Sequence, residues 1–563
     1  MNILGLSAFG GASAAAVVRD GVPVAAAREE RFSGKKNDAV FPRRAARAVL
    51  RSAGISEREL DAVVFYEKPL RRFERTIVSR LRAFPRGARP FADDLFLWLG
   101  DRLWLAGKLS EDLNVPREKL LFCEHQLAHA AAAFWPSPFE DAAILIADGE
   151  GEWTTTSLAR GTSKGIELLA ELRHPQSLSL LSSAVASFCG LESRPGEPLL
   201  CALATHGEPR YAKQLEELIN CDESGVPRMV NGVFQLPWSP ASGFGPALVA
   251  ALGDARAAGS RLRCDGSDRR DADVAASLQA ALEIVVLRWA RELHQRTGCA
   301  DLCFGGELAW NSALVARLGK DGPFRQIFVP LDPGDAGAAL GAALHATRLL
   351  GTEIPRDGEQ AFLGEELVSD PQPAARQLQA GSIPDEISQR LARGELVGWM
   401  RGKAEWGPRA LGHRSLLADA RSATAVDRLR RHVKRREPWI AFSPAVLAER
   451  AGELFEIPAA TRSCSRAMLV DAPARSELRE QAPGILLGNG SSRPQIVSQE
   501  NDPDFHAMLR SFAGRTGAPY VLHTSLNQRG DAIVHGEREA VALMARTGLD
   551  ALLVEDRLYE ARS

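Results

Sequence analysis

The chain is short of charge imbalance, of long apolar runs and of paired cysteines, and each shortage removes a class of protein. Lys and Arg number 69 against 71 Asp and Glu, a formal net charge of −2 over 563 residues. No global field draws such a molecule to nucleic acid or to an anionic membrane, so a small, locally charged substrate is expected. No stretch approaches the roughly 18 uninterrupted apolar residues of a spanning helix, and the start, MNILGLSAFGG, has no basic n-region. A cytoplasmic protein is expected. The eight cysteines are scattered, and the nearest pair, Cys299 and Cys303, has no matching second pair, which argues for free thiols rather than structural zinc. Heptads, low-complexity tracts and short-period repeats are missing too.

What is present suits a globular protein of about two to four domains, with 45% hydrophobic residues to build a core. NILGLSA, then GG, then apolar runs flanking Asp20-Gly21 predict a strand, a tight turn and a hairpin. From about Arg89 to Leu113 apolar residues recur at helical spacing, which predicts one amphipathic helix packed on the core. DAAILIADGEGEW, DLCFGGELAWNSA and QIFVPLDPGDAGAALGAAL each read as strand, glycine loop and then helix or turn, an order that collects ligands at strand ends. A polar, proline-bearing stretch at 351–376 reads as a linker between a first domain over 1–350 and a second over 377–563.

His125 and His129 stand four apart in EHQLAHAAAAFW, so on a helix one lies above the other, about 6 Å away. One cation could take both imidazoles, and two buried histidines bonded to backbone is an equal alternative. Asp148 ends an apolar run at a glycine, and Asp335 sits where a glycine turn meets a helix; a turn former and an N-cap are the competing roles. Together the four make a nitrogen–oxygen donor set for Fe(II), Mn(II) or Zn(II), able to polarise a carbonyl. The loops holding Gly149, Gly151, Gly306 and Gly334 would let backbone N–H groups approach a nucleotide phosphate, and Asn311 is a further candidate contact. Glu152 and His206 are candidates for a general base.

The second domain is rich in placed cations. Lys403, Arg409 and Arg414 share one glycine-bearing segment, Lys434 and Arg436 lie in HVKRRE, and Arg529 follows YVLHTSL, whose end brings Ser525 and Asn527. Such a set could neutralise phosphates, arginine as a planar fork and lysine as a point charge. Arg428, Arg430 and Arg431 read instead as a solvated helix face.

EHQLAHAAAAFWPSPFEDAAILIADGEGEW, PGDAGAALGAAL, GKAEWGPRALGHRS and HTSLNQRGDAIV, in this order, resemble the carbamoyltransferases of antibiotic and nodulation-factor biosynthesis, the NodU/CmcH/TobZ type. The resemblance implies an α/β chain whose N-terminal domain is actin-like, a duplicated ribonuclease-H-like fold, followed by a YrdC-like α/β domain. It implies that carbamoyl phosphate and ATP, with Mg, form carbamoyl-adenylate in the second domain. The first, holding a divalent ion with Fe(II) ahead of Zn or Mn, would pass the carbamoyl group to a small-molecule hydroxyl or amine. Lys434, Arg436 and Arg493 match family positions. A homodimer is compatible with the resemblance; nucleic acid and membrane are not among the implied partners.

The chain also departs from that pattern. Gly10 and Ala12 stand where relatives usually have His and Asp, and Glu307 replaces a glycine of the nucleotide loop. Asn37, Ser182, Leu199, Thr205-His206 and Ile440-Ala441 differ as well. Most departures fall in the transferase half, which leaves room for a half-active subunit supporting a partner enzyme. A tRNA-modifying protein is a third option, one that the balanced charge disfavours.

Overall fold

The computed structural model describes all residues except 86–87, 192–195, 222–226, 235–242, 261, 265, 267, 357, 359, 368–369, 371–374 and 562–563. Among the described residues no helix is long and apolar enough to cross a membrane.

The first half is built twice on one plan. β1 (Asn2–Ser7), β2 (Ala14–Arg19), β3 (Val22–Arg28), β4 (Ala62–Phe65) and β5 (Leu120–Phe122) form a sheet in the order β3-β2-β1-β4-β5. The three leading strands run antiparallel, and β4 and β5 run parallel to β1. A second sheet contains β6 (Ala142–Ala147), β7 (Thr154–Thr162), β8 (Gly165–Arg173), β11 (Asp301–Gly305) and β12 (Gln326–Phe328), after a short pair, β9 (Ile219–Cys221) with β10 (Pro227–Met229). Its order, β12-β11-β6-β7-β8, repeats the first sheet's pattern of antiparallel and parallel neighbours. This is the duplicated ribonuclease-H-like arrangement of an actin-like domain. The Asp20-Gly21 turn joins β2 to β3 as its sequence predicts.

Between the sheets two helices, His125–Phe134 and Asp335–Leu349, lie against each other. Their alanines and glycines make this possible: a Cβ on Gly341 would lie 1.9 Å from the carbonyl oxygen of Ala128. Small residues along one strip bring two backbones together, and the alanine run in the sequence is the mark of that packing.

The second half is one mixed sheet. It contains β13 (Arg376–Gln377), β14 (Val397–Met400), β15 (Arg414–Ala418), β16 (Ser443–Leu447), β19 (Gln495–Val497), β20 (Tyr520–Ser525), β21 (Ala551–Val554) and β22 (Arg557–Glu560); β17 (Ala472–Pro473) and β18 (Ser491–Ser492) pair separately. The order is β13-β22-β21-β14-β15-β20-β16-β19. Within 351–376, Leu363 and Phe362 touch both halves: the Ala26 N–H bonds the Leu363 carbonyl, and the Phe362 ring stacks on His413 at 3.6 Å. Trp406, Leu411 and Trp439 of the second half join the core of the first.

The expected single helix over 89–113 is broken. Helices Ala88–Gly100 and Leu105–Asp112 flank a 3₁₀ turn at Arg102–Trp104, and Phe96, Leu99 and Trp104 are 79%, 52% and 65% exposed. Apolar spacing sets amphipathicity, but whether the apolar face is covered depends on what folds over it, and here much of it is not covered.

Candidate metal centre and cationic site

The His125–Phe134 helix begins at the end of β5, and both of its histidines are buried. The N–H of His125 is taken by Glu152 at 3.1 Å, so that carboxylate satisfies an orphan donor of the first turn. Glu152, one of two candidates for a general base, also accepts the Lys68 N–H, so its carboxylate is engaged by backbone donors. Gly151 makes room for the imidazole, since a Cβ there would lie 3.1 Å from the His125 ring.

Four side chains meet. His125 Nε2 is 2.7 Å from Asp148 Oδ2 and 3.7 Å from Asp335 Oδ1; His129 Nε2 is 3.6 Å from each carboxylate. One ligand atom from each lies within 4.8 Å of all the others. His129 Nδ1 faces the Pro333 carbonyl at 3.1 Å, which leaves Nε2, buried and without a hydrogen-bond partner, aimed at the carboxylates. Asp335 is not the helix cap; Gly334 holds that position, and the Asp335 carboxylate accepts the Gly11 N–H. Asp148 Oδ1 accepts the Glu307 N–H at 3.0 Å. Burial opposes charge on His125, Asp148 and Asp335, yet the Asp148 bond and neighbouring carboxylates lift His125 to about 9, and the imidazoles hold Asp148 and Asp335 below the usual range. Two convergent imidazoles and two carboxylates, with an orphaned Nε2 among them, fit a divalent cation.

Beside the cluster is a cavity of about 120 Å³ lined by Phe9, Gly10, Arg72, Asp148, Glu150, Glu307 and Asp335. A Cβ on Gly10 would stand 2.1 Å from Asp335 Oδ2 and 2.7 Å from the Tyr66 hydroxyl, so this arrangement has no space for a histidine there. Gly306 has φ +85 and abuts the Ala147 carbonyl, which turns Glu307 into the cavity. Asn311 caps the Ser312–Asp321 helix and bonds Gln279, so its amide is engaged within the fold. His206 is docked on the second half, with Nε2 3.2 Å from the Trp439 carbonyl, away from this cavity's lining. Asn37 has φ +52, and its N–H donates to Glu30.

In the second half Arg409, Arg436, Arg493 and Arg529 form a linked set. Arg409 and Arg436 are each held down to about 10, by burial first and then by Arg493, with Arg436 adding to it for Arg409 and Arg529 for Arg436. Arg493 lies 3.5 Å from Asp471, and Arg529 lies 2.6 Å from Glu437. Two residues of the first half lie near them: the Trp310 ring lies under Arg409 at 5.5 Å, and Lys36, exposed at the surface, has Arg436 and Arg409 among the charges that hold its ammonium below the usual value. Sequence reading misses both, because nothing in the polar KKND turn or around Trp310 marks a neighbour in the second half.

Lys434 ends a π-helical turn and is fully buried, bonding the Ser525 and Asn527 carbonyls at 2.8 and 2.9 Å and both side chains. It therefore sets the end of β20. Arg414 is also buried, and its guanidinium donates to the carbonyls of Arg401, Gly402 and His413, which makes it a brace of its own loop. Lys403 is exposed at the start of that loop. Arg431 is solvated as expected, whereas Arg428 pairs with Asp550 and Arg430 lies over Phe442.

Two family models match the chain, one to each half. The family model described as carbamoyltransferase N-terminus matches residues 2–344, and that described as carbamoyltransferase C-terminus matches 388–561. The chain is 32% identical to nodulation protein NolNO of Sinorhizobium fredii over 98% of its length and 79% of that protein. It is 33% identical to 3'-hydroxymethylcephem-O-carbamoyltransferase of Amycolatopsis lactamdurans over 45% and 46% of the two chains. It is also 36% identical to a Synechocystis protein over 99% and 96%. Among solved structures, HypF of T. kodakarensis is a distant likeness, with a TM-score of 0.33 and 15% identity over 62% of this chain and 48% of that one.

Proposed function

The chain belongs to the carbamoyltransferase family, and from that premise we propose that it is an ATP-dependent carbamoyltransferase acting through a carbamoyl-adenylate. The observation that carries the reading is the arginine cluster, in which Arg409, Arg436, Arg493 and Arg529 outnumber the facing carboxylates of Asp471 and Glu437. An excess of fixed cations suits a donor phosphate and a triphosphate held side by side, where like charges must be offset before bonds change.

In this reading the four arginines bind the phosphates, and Lys434 orients Ser525 and Asn527 toward the bound nucleotide. Water releases phosphate from carbamoyl phosphate, the carbamate oxygen attacks the α-phosphorus of ATP, and pyrophosphate departs. The residues suited to the second step lie in the first half. His125, His129, Asp148 and Asp335 would hold a divalent ion, which when bound supplies Lewis-acid polarisation of a carbamoyl carbonyl. An acceptor hydroxyl or amine then displaces AMP and loses a proton. The Gly306 turn and the backbone N–H groups around it are suited to the AMP phosphate.

A half-active subunit is the second reading, favoured by the crowding at Gly10 and by Glu307 in the cavity. Incubation of the protein with carbamoyl phosphate and ATP, with and without small-molecule alcohols and amines, tests both. Pyrophosphate release that requires carbamoyl phosphate supports adenylation. AMP formation that no acceptor accelerates would favour the half-active subunit, and no pyrophosphate at all would overturn the adenylating reading.

A further inference from the structure

We propose that Arg31, a residue of the first half, is a positioning residue for the second: acting through Glu405, it holds the loop that carries Arg409 in its binding geometry. The proposal rests on the adenylating role given to that loop above.

The loop leaves β14 at Met400 and returns at Arg414, and no helix or strand lies between. It is folded around a carboxylate. Glu405 is 3% exposed, and its Oε1 accepts the N–H groups of Leu411, His413 and Arg414 at 2.9, 3.0 and 2.8 Å. Its other oxygen, Oε2, is buried with no hydrogen-bond partner. A buried carboxylate that keeps its charge needs a compensating cation. The charge that acts most strongly in Glu405's favour is that of Arg31, ahead of His413 and Arg414.

Arg31 is itself 4% exposed. It donates Nη2 to the Gly407 carbonyl at 3.1 Å, while Nε and Nη1 have no hydrogen-bond partner. The contact is therefore a tether to the loop's backbone two residues beyond Glu405, and it brings a buried positive charge into the neighbourhood of that carboxylate without a direct ion pair. Gly407 has φ +90 and presses on the segment before the metal cluster, where its Cβ would lie 3.0 Å from the Leu331 carbonyl. In that segment Asp332 is paired with Arg28 at 3.3 Å, and Arg28 with Glu30 at 2.8 Å. Buried charges of alternating sign thus follow one another from beside the metal ligands to the arginine loop, Asp332, Arg28 and Glu30 joined by ion pairs, then Arg31, tethered at Gly407, and Glu405. Each member compensates the next, so loss of one leaves a neighbour charged and desolvated.

The test uses the full chain with Arg31→Met, Arg31→Lys, Glu405→Gln and the Arg31→Met/Glu405→Gln pair. Hydrogen exchange by mass spectrometry on peptides covering 402–414 reads the amides that Glu405 holds, and melting reads global stability. Arg31→Met should speed exchange in that loop by about tenfold or more while peptides elsewhere stay within about twofold. It should raise the KM for carbamoyl phosphate in ATP/pyrophosphate exchange by about tenfold, with kcat changed less than about threefold. Arg31→Lys should recover much of both, and the double variant should be no worse than Arg31→Met, because the stranded charge is gone. Unchanged loop exchange in Arg31→Met, or effects of the two single variants that simply multiply, would overturn the proposal. Should Arg31→Met fail to fold, Arg31→Lys and Glu405→Gln still decide, the first by near-normal and the second by accelerated loop exchange. A wild-type protein with no pyrophosphate exchange sinks the adenylating reading, and the amide measurement alone then decides whether Arg31 holds the loop.

Discussion

Nε2 of His129 stands 3.6 Å from Oδ1 of Asp335, on two helices that begin far apart in the chain, at residues 125 and 335. Neither side chain could reach the other without the close helix approach beneath them. His129→Ala should therefore lower bound metal from about one ion per chain to a small fraction, read by elemental analysis. Pyrophosphate exchange should persist, since the arginine cluster is elsewhere. Full occupancy in this variant would remove His129 from the ligand set.

Gly341 should be intolerant of a side chain. With the Ala128 carbonyl 1.9 Å from any Cβ, Gly341→Val must push the helices apart, at a cost of about 2–3 kcal/mol. Urea denaturation measures the loss, and metal affinity should fall with it. A variant as stable as the parent would mean that the helices are not in contact at that point.

Arg436 lies within the cationic cluster, whereas Arg529 is half exposed and already paired with Glu437. Arg436→Ala should raise the KM for ATP in pyrophosphate exchange by about 10- to 100-fold, a loss of roughly 1.4–3 kcal/mol. Arg529→Ala should have the smaller effect. Equal, negligible effects from both would place phosphate binding elsewhere.

Acid should destabilise the fold through two buried histidines. Desolvation comes first for both, with Lys434 adding to it for His523 and Arg75 for His174, and it holds them down to about 4 and about 3. In the unfolded chain each titrates near 6.5. Between about 6.5 and the folded values the unfolded chain binds more protons, so stability falls as pH falls through that window. The slope is up to about 1.4 kcal/mol per pH unit for each imidazole, and neither contributes a loss above the unfolded value. Denaturation between about pH 7 and 4.5 should show a shallower slope in His523→Gln, by about one proton. Identical slopes would acquit His523.

Local chemistry could be read without coordinates. The Asp20-Gly21 hairpin, the strand–glycine loops at Gly149 and Gly306 and the i, i+4 histidines depend on neighbours within a few residues, where turn preference and periodicity act. The α/β class followed from the order of such units, and the duplicated plan from the family likeness of the motifs alone. Periodicity also misled once, at 89–113, because it reports which face is apolar and not whether anything covers it.

What only the tertiary structure decided is which distant groups share a space and which are already engaged. Asp148 and Asp335 come together because two sheets of like topology lay their strand ends around one helix pair. Asn311, Glu152, His206 and Arg414 carry the right chemistry, but backbone groups and neighbouring side chains hold them. Lys36, Trp310 and the Arg31 tether to Gly407 left no sequence signal at all. Short-range patterns encode local conformation, whereas the cost of burying a charge is met by whichever partner the folded topology brings near, at any separation along the chain.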